Sequence, residues 1–350
     1  MSVSVQNLDI RPRVCTALKK ANIHTVKKLF SFSKLELSKK TGLGSADINE
    51  VILTAAKATF DPTPKRLLDV LKKTGTTNSL QHFKLSTGCP SIDKFLNGGL
   101  LYPGVTEICG ESGSGKTQFC MQLCLNVERK SKHCSLYICT EDVFPHKRLQ
   151  QMASCFYQKN KDEMNLTNLS EITDNIFIEH AADLDALRGI LDVQLPVILS
   201  SKSIKLIVID SIAALFRVEF NVSQMAERAK VLAKIGSVLH KYTHQFQICI
   251  VCVNQVMDVF NQSNVNSHSL QKVMPALGLT WSYHVNTRIL LSRTHFTLSM
   301  FHPDQKLKLD PIVRCLSILF SSHLPCSKCY YIVDEVGVKA VEIPSLQTNA

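Results

Sequence analysis

One short stretch constrains this chain more than any other: Gly110-Glu111-Ser112-Gly113-Ser114-Gly115-Lys116-Thr117. A mostly apolar run, Val105–Cys109, precedes it, and a helical run from Gln118 to Val127 follows. A strand, a glycine-rich turn and a helix in that order make a loop whose backbone N–H groups point inward and surround phosphate oxygens. Lys116 then reaches the β- and γ-phosphates, and Thr117 offers its hydroxyl to Mg²⁺. The residues expected to bind ATP are therefore Gly110, Glu111, Ser112, Gly113, Ser114, Gly115, Lys116, Thr117 and the following Gln118.

The surrounding pattern fits such a loop. From Ser86 onward, short apolar runs alternate with helical stretches, and Val105–Cys109, Leu136–Cys139, Ile176–Ile178, Ile204–Ile209 and Ile248–Val253 read as strands. Alternation of this kind implies a mostly parallel sheet with helices on both faces. After Arg288 the strands follow one another closely (Arg288–Leu291, Ile312–Phe320, Cys329–Val333), which predicts an antiparallel C-terminal extension of the sheet. The first sixty residues read instead as short helices: Val14, Leu18, Ile23, Val26, Leu29 and Phe30 recur at helical spacing, as do Ile48, Val51, Ile52 and Ala55. Between them, Thr41-Gly42-Leu43-Gly44-Ser45 makes a tight turn in which Ser45 can cap the next helix. This resembles a helix-hairpin-helix module; a bundle that docks a protein partner satisfies the pattern equally. The expected organisation is an N-terminal helical domain over 1–60, a linker over 61–85 with a short helix near Leu67–Leu71, and an α/β P-loop NTPase core over 86–350.

Three further strand ends carry polar groups. Leu206-Ile207-Val208-Ile209-Asp210 ends in a carboxylate that, downstream of a phosphate loop, becomes the second Mg²⁺ position beside Thr117. Tyr137-Ile138-Cys139-Thr140-Glu141 ends in a glutamate that could polarise a water against the γ-phosphate, with Asp142 as the alternative. Val251-Cys252-Val253-Asn254-Gln255 ends in amides that could bond the γ-phosphate or merely cap the strand.

Composition narrows the class. The chain has 350 residues, 45% of them hydrophobic, enough for a buried core of ordinary size. Its formal charge of +11 favours a polyanionic partner such as DNA. No apolar run reaches the roughly 18 residues of a membrane span, and the start of the chain has no secretory pattern. The 13 cysteines show no repeating spacing, and several sit in apolar strands, as expected of reduced thiols. Cys326-Ser327-Lys328-Cys329 is a lone CxxC without a second pair, so a zinc site is not expected.

Taken together, Leu85-Ser86-Thr87-Gly88-Cys89-Pro90 to Gly98-Gly99, the loop Gly110–Thr117, Thr140-Glu141, Leu206–Asp210, Asn254-Gln255 and Val285-Asn286-Thr287-Arg288 resemble the eukaryotic and archaeal RecA-type recombinases, in their order. The run Tyr137–Gln151 and the segment Pro275–Trp281 are similar to one branch of the eukaryotic recombinase paralogues. The resemblance spans nearly the whole chain. It implies a RecA-type core, homologous recombination and DNA double-strand break repair, and a protein of the nucleus or of nucleus and cytoplasm both. Its implied partners are DNA (single-stranded or branched), the strand-exchange recombinase and another paralogue, the C member.

The same resemblance makes Glu141 the catalytic glutamate and Gln255 the γ-phosphate sensor. It places Arg148 where a guanidinium stacks on adenine, and Pro325 in a segment that caps ATP across a subunit interface. The chain also departs from the recombinases. Asn221-Val222-Ser223-Gln224 stands where they carry glycine-arginine-glycine, no Phe-x-x-Ala tetrad occurs between Asp61 and Leu85, and Phe320 stands at an expected acidic position. These departures predict a mediator subunit of a heteromeric complex, an ATPase with weak or absent turnover alone. The alternatives are a self-assembling recombinase and a DNA-independent ATPase.

Overall fold

The computed structural model describes residues 3–59, 83–128, 133–141, 143–164, 168–258, 273–301 and 310–343. The chain divides into two compact units, Met1–Gln81 and His82–Ala350. The expected helix near Leu67–Leu71 lies outside the described residues.

The first unit is helical, with helices Pro12–Lys20, Val26–Leu29, Lys34–Thr41 and Ser45–Thr59. Val14, Leu18, Val26, Leu29, Leu37, Ile48, Val51 and Ala55 fall on the inner stripes of their helices and form one core, which Ile23 joins from the connection between the first two. A capping box opens the third helix: Ser33 Oγ accepts from Glu36 N, while Glu36 bonds back to Ser33 N at 2.8 Å. Gly42 ends that helix at φ 69°, a conformation that favours glycine. Ser45 is not the cap. It is the first residue of the helix, and the carbonyl of Gly44 accepts the bond from Ile48.

The second unit is a sheet with two apolar faces. Its strands are β1 (Phe83–Leu85), β2 (Leu100–Tyr102), β3 (Gly104–Gly110), β4 (Cys134–Cys139), β5 (Ile176–His180), β6 (Ile204–Asp210), β7 (Cys249–Asp258), β8 (Val273–Pro275), β9 (Thr287–Thr297), β10 (Ile312–Ser321), β11 (Lys328–Val333) and β12 (Val338–Val341). The main sheet runs β12-β11-β10-β9-β3-β7-β6-β4-β5. Strands β9 to β5 are parallel, and β9 to β12 are antiparallel, so the expected C-terminal extension is present. Strand β1, at the end of the segment expected as linker, pairs with β2 in a separate ribbon.

Alternation along the central strands sorts side chains to the two faces. Leu206, Val208, Cys249, Val251 and Val253 pack beneath the helix Lys116–Glu128, where Phe119, Met121, Leu123 and Cys124 are buried. Ile207, Ile209, Ile250 and Cys252 pack on the opposite face against Leu232, Ile235 and Leu239 of the helix Met225–Phe246. All thirteen cysteines are thiols rather than disulfides. Burial pushes the thiols of Cys109, Cys124 and Cys249 up to about 12, so they behave as small apolar groups.

One charged cluster interrupts this core. Glu107 on β3 is fully buried and pairs with Arg288 on β9; its other oxygen accepts from Asn254 Nδ2 on β7 at 2.5 Å. Arg288 also donates to Ser282 Oγ at 2.8 Å. The cluster sits at the centre of the sheet and ties the parallel half to the antiparallel half.

Candidate functional site

The strand ends converge because parallel strands present their C-termini on one edge. Gly110 aligns with Gln255 on β7, and Cys139 on β4 aligns with Asp210 on β6. The loop Gly110–Thr117 leaves β3 at that edge and enters the helix Lys116–Glu128. A Cβ on Gly110 would lie 2.1 Å from the carbonyl oxygen of Leu291, so only glycine lets the loop start beside β9. Gly115 adopts φ +99°, a left-handed turn that brings the backbone round to the helix.

A cavity of about 410 Å³ opens over this edge. Lined by Gly110–Gly113, Gly115–Gln118, Glu141, Asp210 and Gln255, it brings together most of the residues selected from the sequence. Lys116 Nζ donates to the carbonyls of Gly110 and Glu111, both at 2.8 Å. Burial holds its pKa below the usual lysine range, against the pull of Asp210 and Glu141. Thr117 Oγ1 donates to Asp210 Oδ2 at 2.8 Å, which joins the two expected metal positions. Burial raises the Asp210 carboxyl, and hydrogen bonds from Tyr137 and Thr117 counter it.

Glu141 and Gln255 meet directly: Gln255 Nε2 donates to Glu141 Oε1 at 2.7 Å, as does Ser211 Oγ, also at 2.7 Å. Arg217 donates to Gln255 Oε1 from the helix Ile212–Glu219. Asn254, one residue earlier on β7, faces the opposite way, onto Glu107. Asp142 lies outside the described residues.

Arg148 and Pro325 stand apart from this cavity. Arg148 is pinned by bonds from Nε to Gln118 Oε1 (2.7 Å), Nη1 to Gln151 Oε1 (2.6 Å) and the Glu335 carbonyl (3.1 Å), and Nη2 to the Asp334 carbonyl (2.5 Å). In-plane bonds of this kind fix the orientation of the guanidinium beside Gln118, which does line the cavity. Pro325 is exposed in the turn between β10 and β11. Ser321 at the end of β10 aligns with Thr287, and Thr287 with Thr106 near the start of β3. Pro325 therefore lies at the end of the sheet opposite this chain's own loop.

Sequence reasoning missed several contacts. Tyr137 OH donates to Asp210 Oδ2 at 2.5 Å, and the phenol is held protonated by burial and by that carboxylate. Arg293 pairs with Glu111, its backbone N–H reaching Glu111 Oε1 at 2.8 Å. Burial alone would raise the Glu111 carboxyl, but the Arg293 bonds hold it below the usual range. Arg314 Nε donates to the Gly113 carbonyl at 3.3 Å, and Tyr331 OH to the Ser114 carbonyl at 2.6 Å. Only Tyr137 had a visible signal, since it shares with Glu141 a strand leading to the loop edge. Among the described residues no three His, Cys, Asp or Glu side chains gather as a metal cluster, and no helix is long and apolar enough to cross a membrane.

Comparison with known proteins agrees with this architecture. A family profile described as Rad51 matches residues 79–301, and one described as XRCC3/RpoA-like, helix-hairpin-helix domain, matches residues 5–59. The DNA repair protein XRCC3 of Mus musculus is 36% identical over 351 residues, which covers 97% of this chain and 98% of the mouse protein. The DNA repair protein XRCC3 of Bos taurus is 35% identical, covering 97% of this chain and 98% of its own. The DNA repair protein RAD51 homolog 2 of Homo sapiens is 28% identical, covering 83% of this chain and 80% of its own. With the phosphate loop, the mixed sheet and the N-terminal helical unit all in place, the chain belongs to the Rad51 family.

Proposed function

We propose that this chain is an ATP-binding recombinase paralogue that acts in homologous recombination and DNA repair in the nucleus, as a mediator subunit joined to an unlike paralogue. The observation that carries the reading is the meeting of Lys116, Thr117, Asp210, Glu141 and Gln255 around one cavity, from four adjacent parallel strands and the segments that follow them. The residues fit Mg²⁺-ATP on physical grounds. Ser114 Oγ is a buried hydroxyl in the loop with no partner, and the Thr117–Asp210 pair is the oxygen-rich donor set a hard cation takes.

Thr117 and Asp210 would hold the metal, with Tyr137 fixing the Asp210 carboxylate. Bound Mg²⁺ supplies positive charge against the phosphate oxygens. Lys116 answers the charge of the phosphate chain, and the loop amides surround it. Glu141, oriented by Ser211 and Gln255, has a second carboxylate oxygen able to take the proton of an attacking water. Gln255 couples that carboxylate to Arg217, on a helix that leads into Asn221–Gln224. Arg148 presents a fixed guanidinium plane to the adenine.

Supporting the heteromeric reading are an exposed Phe320 (48% exposed), where a recombinase carries an acid, and a first DNA loop without its arginine. The excess positive charge supports binding to DNA, which weakens steeply with salt. The test is light scattering of the full chain alone, with ATP and Mg²⁺, and with single-stranded DNA added. The expected mass is near that of one chain in all conditions, with ATP-dependent association only when a paralogue is supplied. Long ATP-dependent assemblies on DNA would sink the mediator reading and make the chain a strand-exchange recombinase.

A further inference from the structure

The outer flank of the phosphate loop is held by a row of side chains that crosses the antiparallel half of the sheet. Arg293 on β9 is directly opposite Arg314 on β10, and Arg314 is directly opposite Tyr331 on β11. Each reaches a different part of the loop. Arg293 binds the Glu111 carboxylate, Arg314 the Gly113 carbonyl, and Tyr331 the Ser114 carbonyl.

Two of the three are like charges in register. Directly opposed like charges repel across an antiparallel pair. Glu111 compensates Arg293. Arg314 has no carboxylate partner among the described residues: it bonds only to the carbonyls of Gly113 and Ile312. It is half-buried and lines the same cavity as Lys116. A guanidinium held opposite a second one, without a carboxylate of its own and lining the cavity that also holds Lys116, is arranged to receive an anion.

The geometry points to Arg314 as a second cation of the nucleotide site, one that meets the phosphate chain in concert with Lys116 from the opposite flank of the loop. Arg293 and Tyr331 are its positioning residues: Arg293, tied to Glu111, repels Arg314 toward the cavity, and Tyr331 fixes the loop beneath it. The ligand group recognised is the polyphosphate, so the contact discriminates by phosphate number rather than by base. This inference rests on the reading of the cavity as an ATP site.

The test titrates ATP, ADP and AMP in Mg²⁺ into the full chain and into Arg314→Gln, Arg314→Lys and Lys116→Ala, with melting temperatures taken without nucleotide. Arg314→Gln is expected to weaken ATP by about tenfold, the loss of one charge-assisted contact, and to weaken AMP far less. Its melting temperature without nucleotide stays at or above that of the parent chain, because a like-charge neighbour has gone. Arg314→Lys restores part of the ATP affinity. The inference is overturned if Arg314→Gln binds ATP as tightly as the parent while Lys116→Ala does not. A loss of affinity that tracks a fall in melting temperature, with no rescue by lysine, also overturns it, since Arg314 would then only brace the loop. If the parent chain itself binds no ATP, the reading of the cavity falls and the inference with it.

Discussion

The two flanks of the phosphate loop are built by different means. On the inner flank, Asp210 ends β6, Glu141 follows two residues after β4, and Gln255 sits on β7 where its parallel pairing with β3 stops; the shared edge of the parallel strands brings them together. On the outer flank, Arg293, Arg314 and Tyr331 stand within strands, and what aligns them is antiparallel register. The inner flank carries groups that suit metal and water chemistry. The outer flank carries cations and a hydroxyl that grip loop carbonyls and a carboxylate. A site can thus take its metal and water chemistry from one half of a sheet, and its rigidity, with one further cation, from the other.

The sharpest test of that division is the seam where the halves join. Removing one partner of a buried ion pair leaves the other charge uncompensated, at about 3–5 kcal/mol. Arg288→Met should therefore lower the unfolding free energy by that amount in a denaturant titration, by far the largest effect expected here. Adding Glu107→Gln to it should recover much of the loss, because the stranded charge is gone. If the single variant is as stable as the parent, the cluster does not tie the halves together. Next in size is Lys116→Ala on the inner flank. Nucleotide affinity should fall by about a hundredfold, measured by calorimetric titration, while the melting temperature without nucleotide barely moves. Retained affinity would break the assignment of chemistry to that flank.

How much of each flank was legible in the sequence follows from the same contrast. An apolar strand ending in a carboxylate announces itself, so Asp210 could be chosen without knowing the sheet order; Glu141 rather than Asp142, and Gln255 rather than a strand cap, rested on the family resemblance, and β7 in fact runs on to Asp258. The phosphate loop is contiguous and its residue types are fixed by the turn, so it was legible in full. Arg293, Arg314 and Tyr331 meet Glu111, Gly113 and Ser114 across 182, 201 and 217 residues of chain, and nothing local marks them. Their role depends on the register of β9, β10 and β11, which a one-residue slip would invert. The short strands β1, β2, β8 and β12 were missed because three or four residues carry too little alternation to show. Ser45 was misplaced by one position because Gly44 serves as well as serine at a helix start.

The smallest effect separates holding the loop from feeding the nucleotide. Tyr331→Phe keeps the ring in the core and deletes only the hydroxyl that donates to the Ser114 carbonyl. One neutral hydrogen bond is worth about 1 kcal/mol, which in a unit of this size is a fall in melting temperature of about 2–4 °C. Calorimetry with and without ATP and Mg²⁺ reads where that bond matters. An equal fall in both states means that Tyr331 braces the loop whatever it holds. A larger fall with nucleotide present means that the loop relaxes when empty and closes on the phosphates, so that the outer flank takes part in binding. The comparison fails if the variant melts with the parent in both states, because the antiparallel half would then contribute no rigidity to the loop at all.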